Sequence, residues 1–266
     1  MLSHFDYRAL DSCPMCLGKL KHPPKQLYFT GQLDLLHAPL KVAIVGSRTP
    51  SQYTQHTCAT LARTITKCGG VVVSGGALGV DIIAQYSALP HTIMIAPCSL
   101  DRLYPPANAR VISLIAQEGL ILSEYKENFS PYRHSFLERN RLVVGLSDVV
   151  IIPEANLHSG SMSSAKLALS HQKPLFVLPQ RLGESGGTQA LLQAHKAQAI
   201  YDIDAFCAKL AQDYALTPPR SLRDVLLAFF KHAPTYEQAY ARFGDLLTQY
   251  ELEGLITRRN GCVVLA

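Results

Sequence analysis

Lys41-Val42-Ala43-Ile44-Val45-Gly46, followed by Ser47-Arg48-Thr49-Pro50, is the stretch that decides the fold. Four consecutive apolar side chains without polar alternation describe a strand buried on both faces. The glycine, hydroxyls and proline that follow describe a turn into a helix. Five more runs repeat the pattern: GVVVS (70–74), TIMIA (92–96), LILS (120–123), DVVIIP (148–153) and PLFVLP (174–179), with a weaker one at Ala199-Ile200-Tyr201. Segments of helical length and period lie between most of them, at 52–67, 79–88, 107–117 and 161–172. Strands alternating with helices predict an α/β fold, a Rossmann-like doubly wound, mainly parallel sheet over 41–213.

Outward from that block, residues 1–40 read as a short N-terminal extension. Pro23-Pro24 and Pro39 punctuate it, and Leu27-Tyr28-Phe29-Thr30 reads as one edge strand. On the other side, Thr217-Pro218-Pro219-Arg220 marks a linker within 214–221. Residues 222–266 then predict helices at 222–231, 235–242 and 244–253, the last stopped by Gly254. Leu255-Ile256-Thr257 and Cys262-Val263-Val264-Leu265 flank a hairpin turn at Asn260-Gly261. Three helices and a hairpin predict a small C-terminal winged-helix-like domain.

The 266 residues, 48% of them hydrophobic, suffice for one full core and a small accessory domain. No apolar run reaches the roughly 18–20 residues that span a bilayer. The opening MLSHFDYRAL has neither a basic start nor an apolar signal core. A cytoplasmic protein with no membrane partner is the expectation. Seven scattered cysteines, an odd number, agree with a reducing compartment. A net charge of +5 favours an anionic partner. Trp is absent, so any base stacking falls to Phe, Tyr or Arg.

Ligands of doubly wound sheets bind where strands end and helices begin. Three such loops stand out. Gly46, Ser47 and Arg48 bring close backbone approach, a hydroxyl and a cation to one mouth; the same residues could serve only to cap a helix. Ser74, Gly75 and Gly76, with Gly79 beyond, can form an anion cradle of backbone N–H groups or simply a tight turn. Ser159, Gly160 and Ser161 again precede a helix with several donors, or form an N-cap and a flexible loop. The segment Tyr132 to Arg141 adds Arg133, Phe136, Arg139, Asn140 and Arg141. Arginine with an aromatic ring is what a single-strand site requires, phosphate neutralisation and a face for a base. The alternative is a solvated basic helix face with Phe136 turned into the core and Glu138 or Asp148 pairing the arginines.

Other chemistries lack their signatures. There is no GxxxxGK[ST], no GxGxxG after the first strand, no HExxH and no GxSxG. Cys13-Pro14-Met15-Cys16 is a lone CxxC, and structural zinc wants four ligands. Neither a cofactor, a metal nor a catalytic residue is expected. The predicted reading helix of the terminal domain carries Asp245, Glu251 and Glu253 without Lys or Arg, which duplex phosphate would repel. An interaction role suits it better, with Arg258 and Arg259 as wing contacts.

The series KVAIVGSR (41–48), SGGALGVD (74–81), LYP (103–105), ILSE (121–124), FLERNRLVVGLSD (136–148) and SGSMSSAKLA (159–168) resembles, in order and spacing, the DNA-processing protein A (DprA/Smf) family over roughly residues 27–200. The resemblance implies a Rossmann-fold domain that binds single-stranded DNA in a basic pocket. It also implies loading of RecA, protection of incoming strands in natural transformation, and a homodimer. Carried onto this chain, Arg48 would hold phosphate with backbone from Gly46 and 74–76, and Arg133 and Phe136 would complete the pocket. The chain departs from the family at Leu78 and Val80, where many relatives have Arg and Ile, and in its short N-terminal preface.

Two other functions compete with single-strand binding. A LOG/lysine-decarboxylase-like phosphoribohydrolase would share the glycine-looped sheet. It would also show PGGxGTxxE near the fifth strand, where this chain reads PEANLHSGSMSSA (153–165), leaving Asp81 and Glu124 as unpaired candidate acids. A pure interaction scaffold would leave the glycine loops and arginines unexplained.

Overall fold

Side chains along the central strands alternate between two faces, and both faces are apolar. Ala43, Val73, Ile93, Val150 and Ile152 pack on one side, and Val42, Ile44, Val72, Val149 and Ile151 on the other. This is why the runs show no polar alternation. The computed structural model of the protein describes residues 5–218, 229–230, 233–244, 246–259 and 261–266, without the Arg133 side chain. The chain divides into two compact units, Met1–Pro218 and Pro219–Ala266.

In the first unit the strands are β1 (Arg8–Ala9), β2 (Tyr28–Gly31), β3 (Lys41–Ile44), β4 (Val71–Ser74), β5 (Thr92–Ile95), β6 (Leu120–Ser123), β7 (Val149–Ile152), β8 (Leu175–Val177) and β9 (Gln198–Ala199). They form one sheet in the order β1-β2-β6-β5-β4-β3-β7-β8-β9. Strands β3 to β9 are parallel, whereas β2 pairs antiparallel with both β1 and β6. The chain winds from β3 outward to β6, then returns to the other side of β3 for β7. The topological switch therefore lies between β3 and β7, where sheets of this kind open a crevice.

Helices α1 (Met15–Gly18), α2 (Gln52–Lys67), α3 (Val80–Ala88), α4 (Ala109–Glu118), α5 (Arg133–Leu146), α6 (Gly160–Ser170), α7 (Gly186–Gln193) and α8 (Ile203–Asp213) cover the sheet. Leu61 of α2, Ala84 of α3 and Leu210 of α8 pack on one face, and Leu142 of α5, Ala165 of α6 and Leu191 of α7 on the other. Local chemistry sets their ends. Ser51 accepts the Thr54 N–H at the start of α2 (3.2 Å), and Asp202 accepts that of Ala205 at the start of α8 (2.9 Å). At the other end of α5, the Lys173 ammonium donates to the carbonyls of Val144 (2.7 Å), Gly145 (2.9 Å) and Ser147. It satisfies orphan acceptors and complements the helix dipole.

The N-terminal segment is more integrated than its punctuation suggests. The strand expected at the edge, β2, lies inside the sheet, and β1 takes the edge. Leu17 of α1 is fully buried in the main core. It reaches α5 at Gly145, where an added Cβ would come within 2.9 Å of Leu17 and 3.1 Å of Leu20. A two-residue strand and a one-turn helix carry too little periodicity to announce this contact.

In the second unit, α9 (Tyr236–Phe243) and α10 (Leu246–Leu252) precede the antiparallel pair β10 (Ile256–Arg259) and β11 (Cys262–Leu265). Phe230, Ala239, Leu247, Tyr250, Ile256 and Val263 form its core. The helix expected at 222–231 lies mostly outside the described residues, of which 229–230 are helical, and so does Asp245 of the expected third helix. Arg258 is held by Glu251 (2.8 Å) and lies 4.1 Å over the Tyr236 ring.

Leu17→Ala tests the integration of the N-terminal segment. Urea denaturation is expected to show a loss of about 2–5 kcal/mol, as for a fully buried leucine. A change within about 0.5 kcal/mol, as at a surface position, would mean that the segment does not belong to the core.

Candidate functional site

The loops that follow β3 and β7 part at the switch point and leave a cavity of about 750 Å³. Gly46 to Thr49 form one wall, 156–164 the opposite wall, and Phe136, Arg139 and Asn140 of α5 the floor and rim. A hollow of about 100 Å³ adjoins it, lined by Gly75, Leu78, Pro97 and Pro105. Arg48 and Phe136 line both spaces, with the guanidinium carbon 5.5 Å from the ring centroid. Tyr104 stands 5.7 Å from the same ring. Phe136 is partly exposed and is not a core residue. A cation and aromatic faces thus share the mouth, the combination expected from sequence.

The glycine loop after β4 is not the open cradle that its composition suggests. Ser74 is fully buried, and its hydroxyl donates to the Ile44 carbonyl (2.6 Å). The Gly75 N–H donates to Asp81 Oδ2 (3.2 Å) and the Gly76 N–H to Gln85 Oε1 (2.9 Å). The Gly76 carbonyl accepts from Asn108 Nδ2 (2.9 Å). In the first loop, the Ser47 N–H donates to the Glu154 carbonyl (2.8 Å), and the Ser47 carbonyl accepts from Val80 (3.0 Å). Gly79, at φ +77°, lets the β4 loop press against the backbone of Ser47 and Arg48. The Gly75, Gly76 and Ser47 amides are thus spent on α3 side chains and on the loop after β7, and are not left for a ligand.

Close approach at Gly75 is taken by a protein side chain. The Arg139 guanidinium lies where a Gly75 Cβ would be. Arg139 is 3% exposed, with Nη1 3.8 Å from Asp81 Oδ2. Its Nε and Nη1 make no hydrogen bond. Burial drives the Asp81 carboxyl above the ordinary carboxylate range, against the pull of Arg139 and of the Gly46, Gly75 and Ala77 amides. Burial likewise lowers the pKa of Arg139, with Asp81 opposing. Each charge is tolerable there because the other is present.

Arg141 points elsewhere. It forms a bidentate pair with Glu124 (2.8 and 2.6 Å), and its Nε donates to the His22 carbonyl (2.9 Å). It ties α5 to β6 and to the N-terminal segment, away from the cavity. Glu138 and Asp148, the expected partners, do other work: Glu138 accepts from Tyr125 (3.2 Å) and Asp148 from the Lys41 amide (2.8 Å). The backbone of Arg133 begins α5, while its side chain lies outside the described part. Asn140, Ser159, Gly160 and Ser161 do line the cavity. So do Tyr104, His158 and Lys166, which sequence reasoning did not select. It also missed an aromatic ladder before α5: Tyr125 stacks on Phe129 (3.9 Å, 5°), which meets Tyr132 edge-on (5.8 Å). Among the described residues no group of three or more His, Cys, Asp or Glu could hold a metal ion. Among them, too, no helix is long and apolar enough to cross a membrane.

The family model for DNA recombination-mediator protein A matches residues 7–211. DNA processing protein DprA of Streptococcus pneumoniae is 35% identical over 193 residues, covering 70% of this chain and 68% of that protein. Protein Smf of Synechocystis is 37% identical over 172 residues, covering 62% of this chain, and the aligned part spans 43% of Smf. Among solved structures, DNA processing protein A of Helicobacter pylori, studied for its single-stranded DNA binding mode, superposes with a TM-score of 0.79 at 59% identity. That match covers 80% of this chain and all of the other. The X-ray structure of the S. pneumoniae protein superposes at 0.71 with 32% identity, covering 78% and 75% of the two chains.

Gly75→Ala tests the packing of the buried pair. A methyl group there displaces Arg139 and leaves Asp81 uncompensated, so a loss of about 3–5 kcal/mol is expected in urea denaturation. Gly160→Ala, where a Cβ meets nothing within 4 Å, serves as the control and should leave stability unchanged or raised. Equal stabilities of the two variants would contradict the placement of Arg139.

Proposed function

The chain belongs to the DNA recombination-mediator protein A family, and from that premise we propose that its switch-point cavity binds single-stranded DNA. The observation that carries this reading is the Arg48 guanidinium set 5.5 Å over the Phe136 ring at the cavity mouth. Arg48 neutralises a phosphate, and Phe136 with Tyr104 offers faces to a base. Single-stranded DNA binding by the H. pylori relative agrees with this chemistry. Arg133 is proposed to add a phosphate contact from the start of α5. Arg139 acts from beneath, as a buried positive charge that holds the floor in place. We extend the reading to a homodimer acting in the cytoplasm, one that protects incoming strands in natural transformation and passes them to RecA.

The protein is proposed to bind without turnover. The two acids left open for a phosphoribohydrolase, Asp81 and Glu124, are engaged by Arg139 and Arg141. Neither is paired with a nucleophile as catalysis requires. The terminal unit is proposed to meet protein rather than duplex DNA. Arg258, one of its two candidate wing cations, is already held by Glu251.

Two substitutions separate the roles. Arg48→Ala should weaken oligo-dT binding and make its salt dependence shallower by about 0.7 in log–log slope, one phosphate's worth of counterion release. Phe136→Ala should cost about 1–3 kcal/mol of binding with the slope unchanged, because stacking releases no counterions. Binding measured at three salt concentrations, on variants whose melting temperatures match the parent, checks both. Undiminished affinity of folded Arg48→Ala would sink the assignment of the first loop.

A further inference from the structure

We propose that a second depression, beside the switch-point cavity, seats a nucleobase and prefers guanine. The proposal rests on the single-strand reading of the cavity and adds a base-reading seat to the strand's path. The depression has a volume of about 580 Å³ and is lined by Ser51, Tyr53, Pro179, Gln180, Arg181 and Glu184. Small-molecule sites have volumes of this order. It begins where the cavity wall ends: Thr49 lines the cavity, and Ser51 lines the depression. Glu154 ties the two together. Its carbonyl accepts from the Ser47 amide (2.8 Å), and its carboxylate accepts from the Ser51 amide (3.0 Å). Ser185, next to Glu184, accepts through its hydroxyl from the Ala155 amide (2.9 Å), one residue before Asn156 of the cavity wall. A strand that leaves the cavity over Thr49 and Pro50 meets this depression next.

The backbone of this seat is pinned, while the side chains it carries are unspent. The Arg181 carbonyl accepts from the Glu184 amide (3.0 Å) and from Gln189 Nε2 (2.6 Å). Ser185 follows at φ +51°, an uncommon conformation for a residue with a side chain, and its hydroxyl shares a bond with that of Thr188 (2.7 Å). Yet Arg181 and Glu184 are both exposed, and among the described residues neither side chain makes an ion pair or a hydrogen bond. Tyr53, in the first turn of α2, is exposed and touches no other ring among those residues. With Pro179 it offers apolar surface to a flat ring. Gln180 spends its Nε2 on the Pro153 carbonyl (2.9 Å) and the Thr54 hydroxyl (3.0 Å), which leaves Oε1 as an acceptor. The seat thus combines an aromatic face, a guanidinium that only donates, and a carboxylate and an amide oxygen that only accept. A phosphate alone does not suit it, because Glu184 repels a second anion. A nucleobase with both kinds of edge does. Guanine accepts from arginine at O6 and N7, and donates to a carboxylate from its N1–H and N2 amino group. Thymine has a single N–H to give.

The experiment compares the affinity of the full chain for oligo-dT and for the same strand with isolated guanines in place of scattered thymines. The guanine strand should bind about fivefold or more tightly, the discrimination of one good base contact. Tyr53 and Glu184 are exposed, so Tyr53→Ala and Glu184→Gln should melt with the parent. Glu184→Gln should bring the ratio of the two affinities close to one. Tyr53→Ala should weaken the guanine strand about fivefold or more, as loss of a stacking face does. Arg48→Ala should weaken both strands and keep the ratio. If Glu184 is only a solvated charge near a polyanion, Glu184→Gln will tighten both strands alike and leave the ratio unchanged, which would overturn the seat. Equal binding of the two strands by the parent would overturn it too, and leave the Arg48 reading standing. Titration with dGMP and with dTMP, followed at the amide resonances of Arg181 to Glu184, separates the seat from the strand. Shifts with dGMP that exceed those with dTMP and vanish in Tyr53→Ala are expected; equal shifts would overturn the guanine preference. If neither strand binds the parent while dGMP moves these resonances, the single-strand reading fails, and the seat stands for a free guanine nucleotide.

Discussion

The ion pair of Arg139 and Asp81, laid across the bare backbone of Gly75, is the contact on which the rest of the site depends. It joins three pieces far apart in sequence: the loop after β4, the first turn of α3 and the middle of α5. Two charges with little access to water are costly apart and acceptable together. Every atom around them must therefore keep its place. Gly75 cannot carry a side chain, α5 cannot rotate, and the β4 loop cannot drift from α3. Phe136 lies one turn before Arg139 on the same helix, so its presentation at the cavity mouth is inherited from this buried anchor.

Other contacts reinforce the same helix. Arg141 fastens its solvent side to Glu124 and to the His22 carbonyl, while Lys173 closes its C-terminal end. Leu17 and Leu20 press on Gly145. The N-terminal segment thus belongs to the machinery that aims α5. The loops divide the labour in a similar way. The first two spend backbone donors on α3 side chains and on the Glu154 carbonyl, and the first offers the Arg48 side chain to the cavity. The third, at α6, keeps donors and hydroxyls that the fold leaves unsatisfied.

The parallel strands were legible because burial on both faces writes uninterrupted Val and Ile into the chain, as at 71–73 and 149–152. The crevice was legible only as loops after strands; the strand order that places the switch point between β3 and β7 was not. The loops were legible only as candidates. Composition shows that Gly75 and Gly76 permit close approach, but not that Arg139, Asp81 and Gln85 are what approaches. Those partners are long-range, and no local pattern encodes them. The division between Arg139 and Arg141 did have a signal. Residues two apart on a helix face different sides, whereas Phe136, Arg139 and Asn140 at i, i+3 and i+4 share one. The roles of Leu17 and of β1 had none, because elements of two to four residues carry no period to read.

Photocrosslinking with oligo-dT carrying single 5-iodouracil substitutions tests the central claim directly, because the modified base couples to an aromatic ring on which it stacks. Adducts on Phe136 or Tyr104, lost in Arg48→Ala at moderate salt, are the expected result. Adducts confined to the 236–265 region, with Phe136 and Tyr104 unmodified, would contradict strand binding at the switch point.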